Sequence, residues 1–158
     1  ANIREDAIVF FHPDGNMNPD DIKEFVRRLK EGEKFIVASR IIKGAINEED
    51  DQTIKPRKWF NICLAIATNI VWGRNGNKCT DVVQGYRALR TDVYRKLKIF
   101  RPHPIAPEFE QVIRALKLNI IITEFPTIEK PRTFGETTMP SFKTGWGNIE
   151  IFLKGFVS

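Results

Sequence analysis

The chain has 158 residues, of which 42% are hydrophobic and 28% charged, a balance typical of one globular domain with its own core. Its net charge of +5 favours an anionic partner such as a phosphate, a nucleic acid or an acidic membrane surface. The two cysteines, Cys63 and Cys79, stand in no metal-ligand spacing, which excludes a disulfide scaffold and a structural zinc site and favours a reducing compartment.

The first part of the chain predicts a strand, a helix and a second strand. Residues 7–11 are a continuous apolar run of strand length, which is typical of a strand covered on both faces. The helix is capped by Asn18, ends at Gly32 and carries an apolar stripe at helical spacing. The stripe consists of Ile22, Phe25, Val26 and Leu29. Residues 34–40 are a second buried strand, so we expect a βαβ unit in a parallel sheet, with a ligand site at the carboxyl ends of its strands.

The remainder of the chain predicts further helices and strands joined by two long loops. Residues 41–56 are polar and acidic, as in a loop or lid, and residues 57–72 predict a helix that is apolar nearly all round. Residues 80–90 predict a strand that bends at Gly85. The later predictions are a short helix at 91–98 capped by Thr91, a helix around 109–116, a strand at 119–126, a loop at 129–145 and a last helix striped by Ile149, Phe152, Leu153 and Phe156.

The start of the chain resembles the middle of a larger sheet protein. It enters a central-looking strand almost directly, with no β–α unit and no nucleotide-type glycine loop before that strand. A parallel sheet that begins in this way has an uncovered edge. We therefore expect the later part of a larger α/β domain.

The loop after the first strand, "HPDGN" at residues 12–16, has three interpretations. An ordinary Asp-Gly turn is the simplest one. A calcium-binding EF-hand is excluded, because Pro19 stands where that loop needs glycine and Phe25 where it needs glutamate. The third is a Mg²⁺ or Mn²⁺ site for a nucleotide diphosphate, with Asp14 and Asn16 as ligands, since phosphates and waters fill the other coordination positions.

Several arginines and acids stand where strands end or helices begin. Any one of these arginines taken alone is a solvated surface charge, but four in such places suit phosphate oxygens. The four are Arg40, Arg57, Arg87 and Arg132. Asp81 precedes "VVQGYR", and Glu110 lies near a helix start. These acids could orient an acceptor or act as a general base, and for Glu110 simple compensation of the helix dipole is an equal alternative.

Taken in order, these stretches resemble family 2 glycosyltransferases, closest to the branch with dolichyl- and polyprenyl-phosphate sugar synthases. The stretches are a buried strand ending at an aspartate motif, "ASR", an apolar helix opened by arginine, "D…QGYRALR", "PEFEQVIRALKLNIIITEFP" and "PRTFGET". The resemblance runs from about residue 7 to the end of the chain. It implies an α/β class with a partial GT-A fold, a Rossmann-like mixed sheet with helices on both faces. Residues 1–158 would then be a single domain, the C-terminal two-thirds of a transferase domain without its N-terminal nucleotide-binding portion.

The resemblance also implies a metal site in the loop after the first strand. Asp14 matches the second aspartate of the family's Asp-x-Asp motif, and Asn16 matches the polar ligand two residues later. His12 stands where the first aspartate would be, which is a departure from the pattern. The implied cofactor is Mg²⁺ or Mn²⁺, held by fewer carboxylates than usual.

Phosphate and acceptor contacts are implied in the same way. The arginines that match contacts to the donor diphosphate or to the acceptor phosphate are Arg40, Arg57 and Arg132. Asp81 to Arg87 resemble the acceptor-side "D…SGFR" stretch, with Gln84 in place of serine. Glu110 matches an acid near the acceptor. Asp81 and Glu110 are therefore the candidate catalytic carboxylates.

The function implied is inverting transfer of a sugar from a nucleotide-diphosphate donor to a polyprenyl phosphate or a saccharide. Without an N-terminal portion the chain is expected to bind a donor poorly, so a non-catalytic remnant that binds partners is the alternative. A nucleic-acid partner is not expected, because the aromatic residues lie on apolar faces rather than between arginines. The expected location is cytoplasmic, with residues 59–72 as a peripheral contact to the membrane surface.

Overall fold

The computed structural model describes residues 6–12, 15–47, 56–100, 102–129 and 141–157. Strands and helices follow one another in these ranges in a mixed α/β order. The elements are β1 (Ala7–Phe10), α1 (Asp21–Lys30), β2 (Phe35–Ser39), α2 (Pro56–Trp72), β3 (Arg87–Arg90), α3 (Thr91–Lys96), α4 (Pro107–Lys117), β4 (Ile122–Pro126) and α5 (Ser141–Lys154). The predicted α/β class is therefore confirmed.

The strands form a mixed open sheet in the order β1-β3-β2-β4. β2 pairs in parallel with β4, whereas β3 runs antiparallel to both of its neighbours, β1 and β2. The predicted mixed sheet is confirmed, and β1 and β2 run the same way as in the predicted βαβ unit, but the two strands are not neighbours because β3 lies between them. An apolar run shows that a strand is buried and does not identify the strand beside it. Since β1, β2 and β4 run the same way, their carboxyl ends lie at one edge of the sheet.

The prediction that β1 is covered on both faces is confirmed in part, because Phe10 packs against one core and Val9 against the other, but neither is fully buried. All four of its residues are only partly buried, whereas every residue of β2 is buried. In the described part of the chain, β1 lies at the end of the sheet and pairs with β3 alone. The helix layers therefore cover it less completely than the central strands.

Helices cover the sheet on both faces, as expected from the alternation of side chains in β2. Phe35 and Val37 point into a core formed with α2 and α4, and Ile36 and Ala38 point into a second core with α1. Successive residues of a strand face opposite sides of the sheet, so a strand with two apolar faces needs a helix layer on each. The fold therefore leaves the ends of the strands, rather than their faces, as the place for a site.

The cap of α1 predicted at Asn18 is wrong, and the stripe of this helix is only partly buried. Asp20 holds the cap position without a capping side-chain bond, whereas the Asn18 Oδ1 atom accepts a hydrogen bond of 3.2 Å from the Asp20 amide just before the helix. Phe25 is fully buried between Tyr86 and Phe125. Ile22 and Val26, predicted in the same stripe, are 39% and 42% exposed, so that part of the prediction is wrong.

Three other predicted boundaries differ from the structure. The strand predicted at 80–90 forms only at β3, and residues 80–86 form an irregular segment. At Gly85, the position that a Cβ atom would take lies 3.1 Å from His12 Nε2, so glycine admits the histidine ring. The predicted cap at Thr91 is wrong, because Thr91 is the first residue of α3 and Arg90 holds the cap position. β4 begins at Ile122 rather than at residue 119.

The apolar stripe predicted for the last helix is only partly the face that α5 buries, since Phe152 packs against the core and the Trp72 ring. Ile149, Leu153 and Phe156 are all more than one third exposed. The buried residues of this segment are Gly147, Asn148, Ile151 and Gly155. At Gly155 a Cβ atom would come within 2.7 Å of the Trp72 ring, so glycine lets the end of α5 approach α2 closely. Hydrophobic spacing alone does not reveal an inward face that is built on glycine.

The apolar helices have a limited reach. In the five ranges that the structure describes, none of the helices is both long and apolar enough to cross a membrane.

The buried ring of Phe25 provides a test of the second core. Phe25→Ala removes an aromatic side chain that is fully buried and contacts Tyr86 and Phe125, so we expect the free energy of unfolding to fall by about 3–5 kcal/mol. Val26→Ala on the same helix is the control, with an expected change of at most about 0.5 kcal/mol. Both are measured by urea denaturation. Equal losses in the two variants would contradict the described orientation of α1.

Candidate functional site

Polar side chains from distant parts of the sequence meet at the carboxyl ends of β1, β2 and β4. One polar side chain follows each of these three strands. Two more come from α2 and from the segment before β3. We call this group the sheet-edge cluster. Its members are Asn16, Arg40, Asn61, Asp81 and Glu129. This is where a mixed α/β sheet commonly binds its ligand.

The centre of the cluster is an ion pair between Arg40 and Asp81. Arg40 Nε and Nη2 donate to the two carboxylate oxygens at 2.8 and 3.0 Å, and the Arg40 amide donates at 3.0 Å. Asn61 Nδ2 adds a fourth bond of 2.8 Å. Asp81 is fully buried, and burial alone would raise its pKa, but the charge and hydrogen bonds of Arg40 and the bond from Asn61 hold that pKa below the usual 3.8. Asp81 is therefore an ionised, fully bonded carboxylate.

Arg40 also contacts a second carboxylate. Its Nη1 atom lies 3.3 and 3.4 Å from the two oxygens of Glu129, and Asn16 Nδ2 donates to Glu129 Oε1 at 3.2 Å. Burial would lower the pKa of Arg40, but Asp81 and Glu129 together raise it above its usual value. The guanidinium is thus a permanent cation held between two carboxylates.

Glu124 on β4 holds the backbone segment that carries Asp81. Its carboxylate accepts hydrogen bonds from the Thr80 amide at 3.0 Å, the Thr80 hydroxyl at 2.9 Å and the Asp81 amide at 3.1 Å. Burial raises the pKa of Glu124 above 4.5 in spite of these bonds. The Ser39 and Thr80 hydroxyl oxygens, 3.2 Å apart, add a link to β2. These contacts fix the backbone on which Asp81 stands.

Sequence reasoning missed Asn61, Glu124 and Glu129. Asn61 interrupts an otherwise apolar helix, and that polar position is the one signal that could have identified it. Glu124 lies inside a strand, and Glu129 follows one, where a glutamate is ordinarily a solvated residue. Their role depends on the pairing of β2 with β4, which no local pattern encodes.

Gln84 and Arg87 lie behind the cluster and are buried. Gln84 Oε1 accepts a bond of 3.1 Å from the Tyr86 amide. Arg87 donates to the carbonyl oxygens of Gln84 and Glu108, at 2.7 Å from Nε and 2.8 Å from Nη1. Its guanidinium also lies over the Phe35 ring. Burial lowers the pKa of Arg87. These contacts join the segment before β3 to the first turn of α4.

Glu110 is placed on α4 with contacts of its own. Arg114 donates to its carboxylate at 2.9 and 3.1 Å, and the His103 amide donates at 3.2 Å. With Ile113 and Ile151 it lines a cavity of about 290 Å³ between α4 and the end of α5. Glu110 therefore contacts a different group of residues from those that contact Asp81.

The other predicted site residues are dispersed. Arg57 is exposed at the start of α2, and His12 is exposed beside Gly85. Asp14 and Arg132 lie outside the described residues. The structure brings together Arg40, Asn16 and Asp81 from the predicted set.

Asn16 has the chemistry that a hard cation needs. It is 6% exposed, and its Oδ1 atom has no hydrogen-bond partner in the described part of the chain, as is also true of Asn61 Oδ1. An amide oxygen of this kind fits Mg²⁺ or Mn²⁺. Over the same ranges, which leave out Asp14, no three His, Cys, Asp or Glu side chains gather as a metal-binding group. Asn16 is thus the described residue that fits the expected metal.

The fold and this cluster define a mixed α/β protein with a charged site at the carboxyl edge of its sheet. A scan of the chain against protein-family models finds no model that matches it.

The lowered pKa of Asp81 makes a prediction about stability and pH. Asp81→Asn leaves the Arg40 guanidinium without its main partner in a buried place, so we expect the free energy of unfolding to fall by about 3 kcal/mol at pH 7. A carboxylate with a lowered folded-state pKa stabilises above its unfolded pKa of about 3.9 and loses that contribution as pH falls through the folded value. The difference between wild type and Asp81→Asn should therefore shrink below about pH 4.

Urea denaturation between pH 2.5 and 7 measures this difference. Asp20→Asn is the control, because Asp20 forms an exposed pair with Lys23 on α1 and its replacement should leave stability unchanged. A difference for Asp81→Asn that stays constant down to pH 2.5 would contradict the ion pair as the cause.

Proposed function

We propose that this chain is the acceptor-side part of a GT-A-type sugar transferase that moves a sugar from a nucleotide-diphosphate donor to a polyprenyl phosphate with inversion. The single observation that supports it most is the contact between Arg40 and Asp81. The resemblance to family 2 glycosyltransferases singled out these residues in two separate motifs, "ASR" and "D…QGYR", which lie 41 residues apart. In the structure they meet at the sheet edge where such a site is expected.

The state of the two candidate bases favours an acceptor that is already anionic. Asp81 accepts four hydrogen bonds and has a lowered pKa, and Glu110 is paired with Arg114. A sugar hydroxyl needs a base with a free lone pair and a pKa near neutrality. A phosphate oxygen is already anionic and can act as a nucleophile without a base. A polyprenyl phosphate therefore fits this site better than a saccharide.

Asp81 then acts as a positioning residue. It holds the Arg40 guanidinium in one orientation through two charge-assisted bonds, and Glu124 holds the segment that carries Asp81. A guanidinium fixed in this way would present its N–H groups to phosphate oxygens in one orientation. The exposed Arg57 and the predicted Arg132 would add charge on the donor side.

Asn16 would hold Mg²⁺ or Mn²⁺ together with Asp14. When bound, such an ion would neutralise charge on the leaving nucleotide diphosphate. Asn16 contributes a buried Oδ1 with no other partner in the described ranges, and its Nδ2 is oriented by Glu129. The substitution of the first motif aspartate by His12 is expected to weaken metal affinity.

A lipid acceptor accords with the outward surface of α2 and α5. The two helices contact each other at Trp72, whose ring meets that of Phe152 edge to face with the ring centroids 5.1 Å apart. Each has exposed apolar side chains at helical spacing, which we call the apolar helix pair. Its members are Trp59, Ile66 and Ile70 on α2, and Trp146, Ile149 and Leu153 on α5. The basic residues Arg57 and Lys143 are exposed near the first turns of the two helices, and cations close to an apolar surface are typical of helices that lie on anionic lipid.

A non-catalytic remnant is the second candidate, and one observation favours it. Arg40, the central cation, is already bonded to Asp81 and Glu129 and is only 17% exposed. A chain in this state would keep the architecture of a transferase site without binding a donor. Nucleotide-sugar binding separates the two candidates.

Sugar transfer by the full-length protein is the direct test. We expect transfer from a nucleotide-diphosphate sugar to polyprenyl phosphate with Mn²⁺, and a fall in kcat/KM of at least about tenfold for Arg40→Lys, because lysine cannot form the bidentate pair. Arg27→Lys replaces an arginine in an exposed pair on α1 and should leave transfer unchanged.

Two results would count against the transferase. One is a folded full-length protein that binds no nucleotide sugar by isothermal titration, which favours the remnant. The other is an equal fall in kcat/KM for the two arginine variants, which would show that the sheet-edge cluster takes no part in the reaction.

Vesicle binding tests the apolar helix pair. We expect the chain to sediment with vesicles containing anionic lipid, and the double variant Ile70→Ser/Leu153→Ser to lower its partition coefficient by at least about tenfold, since each side chain would be buried in lipid. Ile22→Ser/Val26→Ser replaces exposed apolar residues on α1 and should leave sedimentation unchanged. Equal losses in both variants would indicate non-specific adsorption.

A further inference from the structure

The two carboxylates at Arg40 hold it with unequal strength. Asp81 forms bonds of 2.8 and 3.0 Å with Nε and Nη2, whereas both contacts of Glu129 to Nη1 are longer, at 3.3 and 3.4 Å. Asp81 also accepts from the Arg40 amide and from Asn61. A ligand that competes for Arg40 would therefore displace Glu129 first.

We infer that Glu129 is a built-in competitor for phosphate at Arg40, so that an anion binds the sheet-edge cluster only when this carboxylate leaves. The inference rests on the proposed function, because it concerns the regulation of the same site. A carboxylate and a phosphate accept hydrogen bonds from a guanidinium in the same way. Glu129 thus occupies the position that a donor or acceptor phosphate would take.

Departure of Glu129 would release a set of donors that converge on one place. Arg40 Nη1 and Asn16 Nδ2 both donate to this carboxylate, and both would become available together. Asp81 would stay bonded to Nε and Nη2 and keep the guanidinium oriented. The result is a preformed phosphate cradle with one fixed and one removable carboxylate.

The charges around Arg40 also favour competition between Glu129 and phosphate. With Glu129 in place, Arg40 faces two carboxylates among the residues that the structure describes, so an incoming phosphate meets repulsion as well as an occupied donor. Glu129 is only 7% exposed, and the low local dielectric strengthens this repulsion. Removing its charge, rather than its bulk, should therefore be sufficient to raise anion affinity.

The position of Glu129 in the chain suits a removable group. Its amide donates to the Ile46 carbonyl at 2.9 Å, just after the isolated pairing of Ile46 with Ile128, so its backbone is held by an irregular connection rather than by β4. Asp81 stands on a segment held by the half-buried Glu124. The two carboxylates at Arg40 therefore stand on different backbone supports.

Titration of the chain with inorganic pyrophosphate, without metal, tests the inference. Glu129→Gln keeps the size of the side chain and removes its charge, and we expect pyrophosphate to bind about tenfold more tightly than to wild type. Glu33→Gln is the matched control, because Glu33 also pairs with a part-buried arginine, Arg28, at 3.2 Å, and the change in net charge is the same. This control should leave affinity unchanged.

A second variant and a measurement on wild type complete the test. Arg40→Lys combined with Glu129→Gln should lose the gain, because the guanidinium is the proposed receptor. In wild type, saturating pyrophosphate should shift the side-chain amide resonances of Asn16, which bonds Glu129, and leave those of Asn61, which bonds Asp81. The wild-type measurement stands even where a variant fails to fold.

The outcomes separate this inference from the proposed function. Unchanged or weaker pyrophosphate binding by a folded Glu129→Gln, or equal shifts of Asn16 and Asn61, would overturn it even if the full-length protein transfers sugar. A gain that depends on Arg40 would support an anion site guarded by Glu129 even if the full-length protein transfers none.

Discussion

The buried ion pair of Arg40 and Asp81 is the constraint on which the site depends. Taking two charges out of water is costly, and the pair is stable only when hydrogen bonds satisfy both groups. Asp81 meets this condition with bonds from Arg40 and Asn61, and these bonds join β2, α2 and the segment before β3. The pair contributes a fixed geometry more than stability, because its attraction is largely offset by desolvation.

The same burial decides which chemistry the cluster can support. Asp81 is buried and bonded by Arg40 and Asn61, and its pKa is lowered, so it is better suited to orienting Arg40 than to accepting a proton. The pKa of Glu124 changes in the opposite direction from that of Asp81, because burial raises it. Its bonds go to backbone and hydroxyl donors and not to an arginine, which leaves its charge less compensated. Adjacent acids thus have different roles because their partners differ.

Local sequence predicted the elements of this fold better than their arrangement. The fully buried run at β2 is confirmed, whereas the cap of α1 lies at Asp20, two residues after the predicted Asn18. The insertion of β3 between β1 and β2, and the glycine-based inward face of α5, depend on contacts between distant segments. Arg40 and Asp81 were recognisable by motif, whereas the contacts of Glu129 follow from the pairing of β4 with β2. Register and topology are the information that the residue pattern lacks.

Glu129 connects the two candidate functions. A transferase needs a cation that is preorganised and also available, whereas a buried cation left without a partner would destabilise the fold. A weakly held carboxylate satisfies both requirements, because it neutralises Arg40 in the empty site and is the first group to yield to a phosphate. If the carboxylate cannot yield, the same cluster is a purely structural bridge between β2 and the end of β4. On the proposed function, the free energy of exchanging one carboxylate for one phosphate at Arg40 would separate a transferase from a remnant.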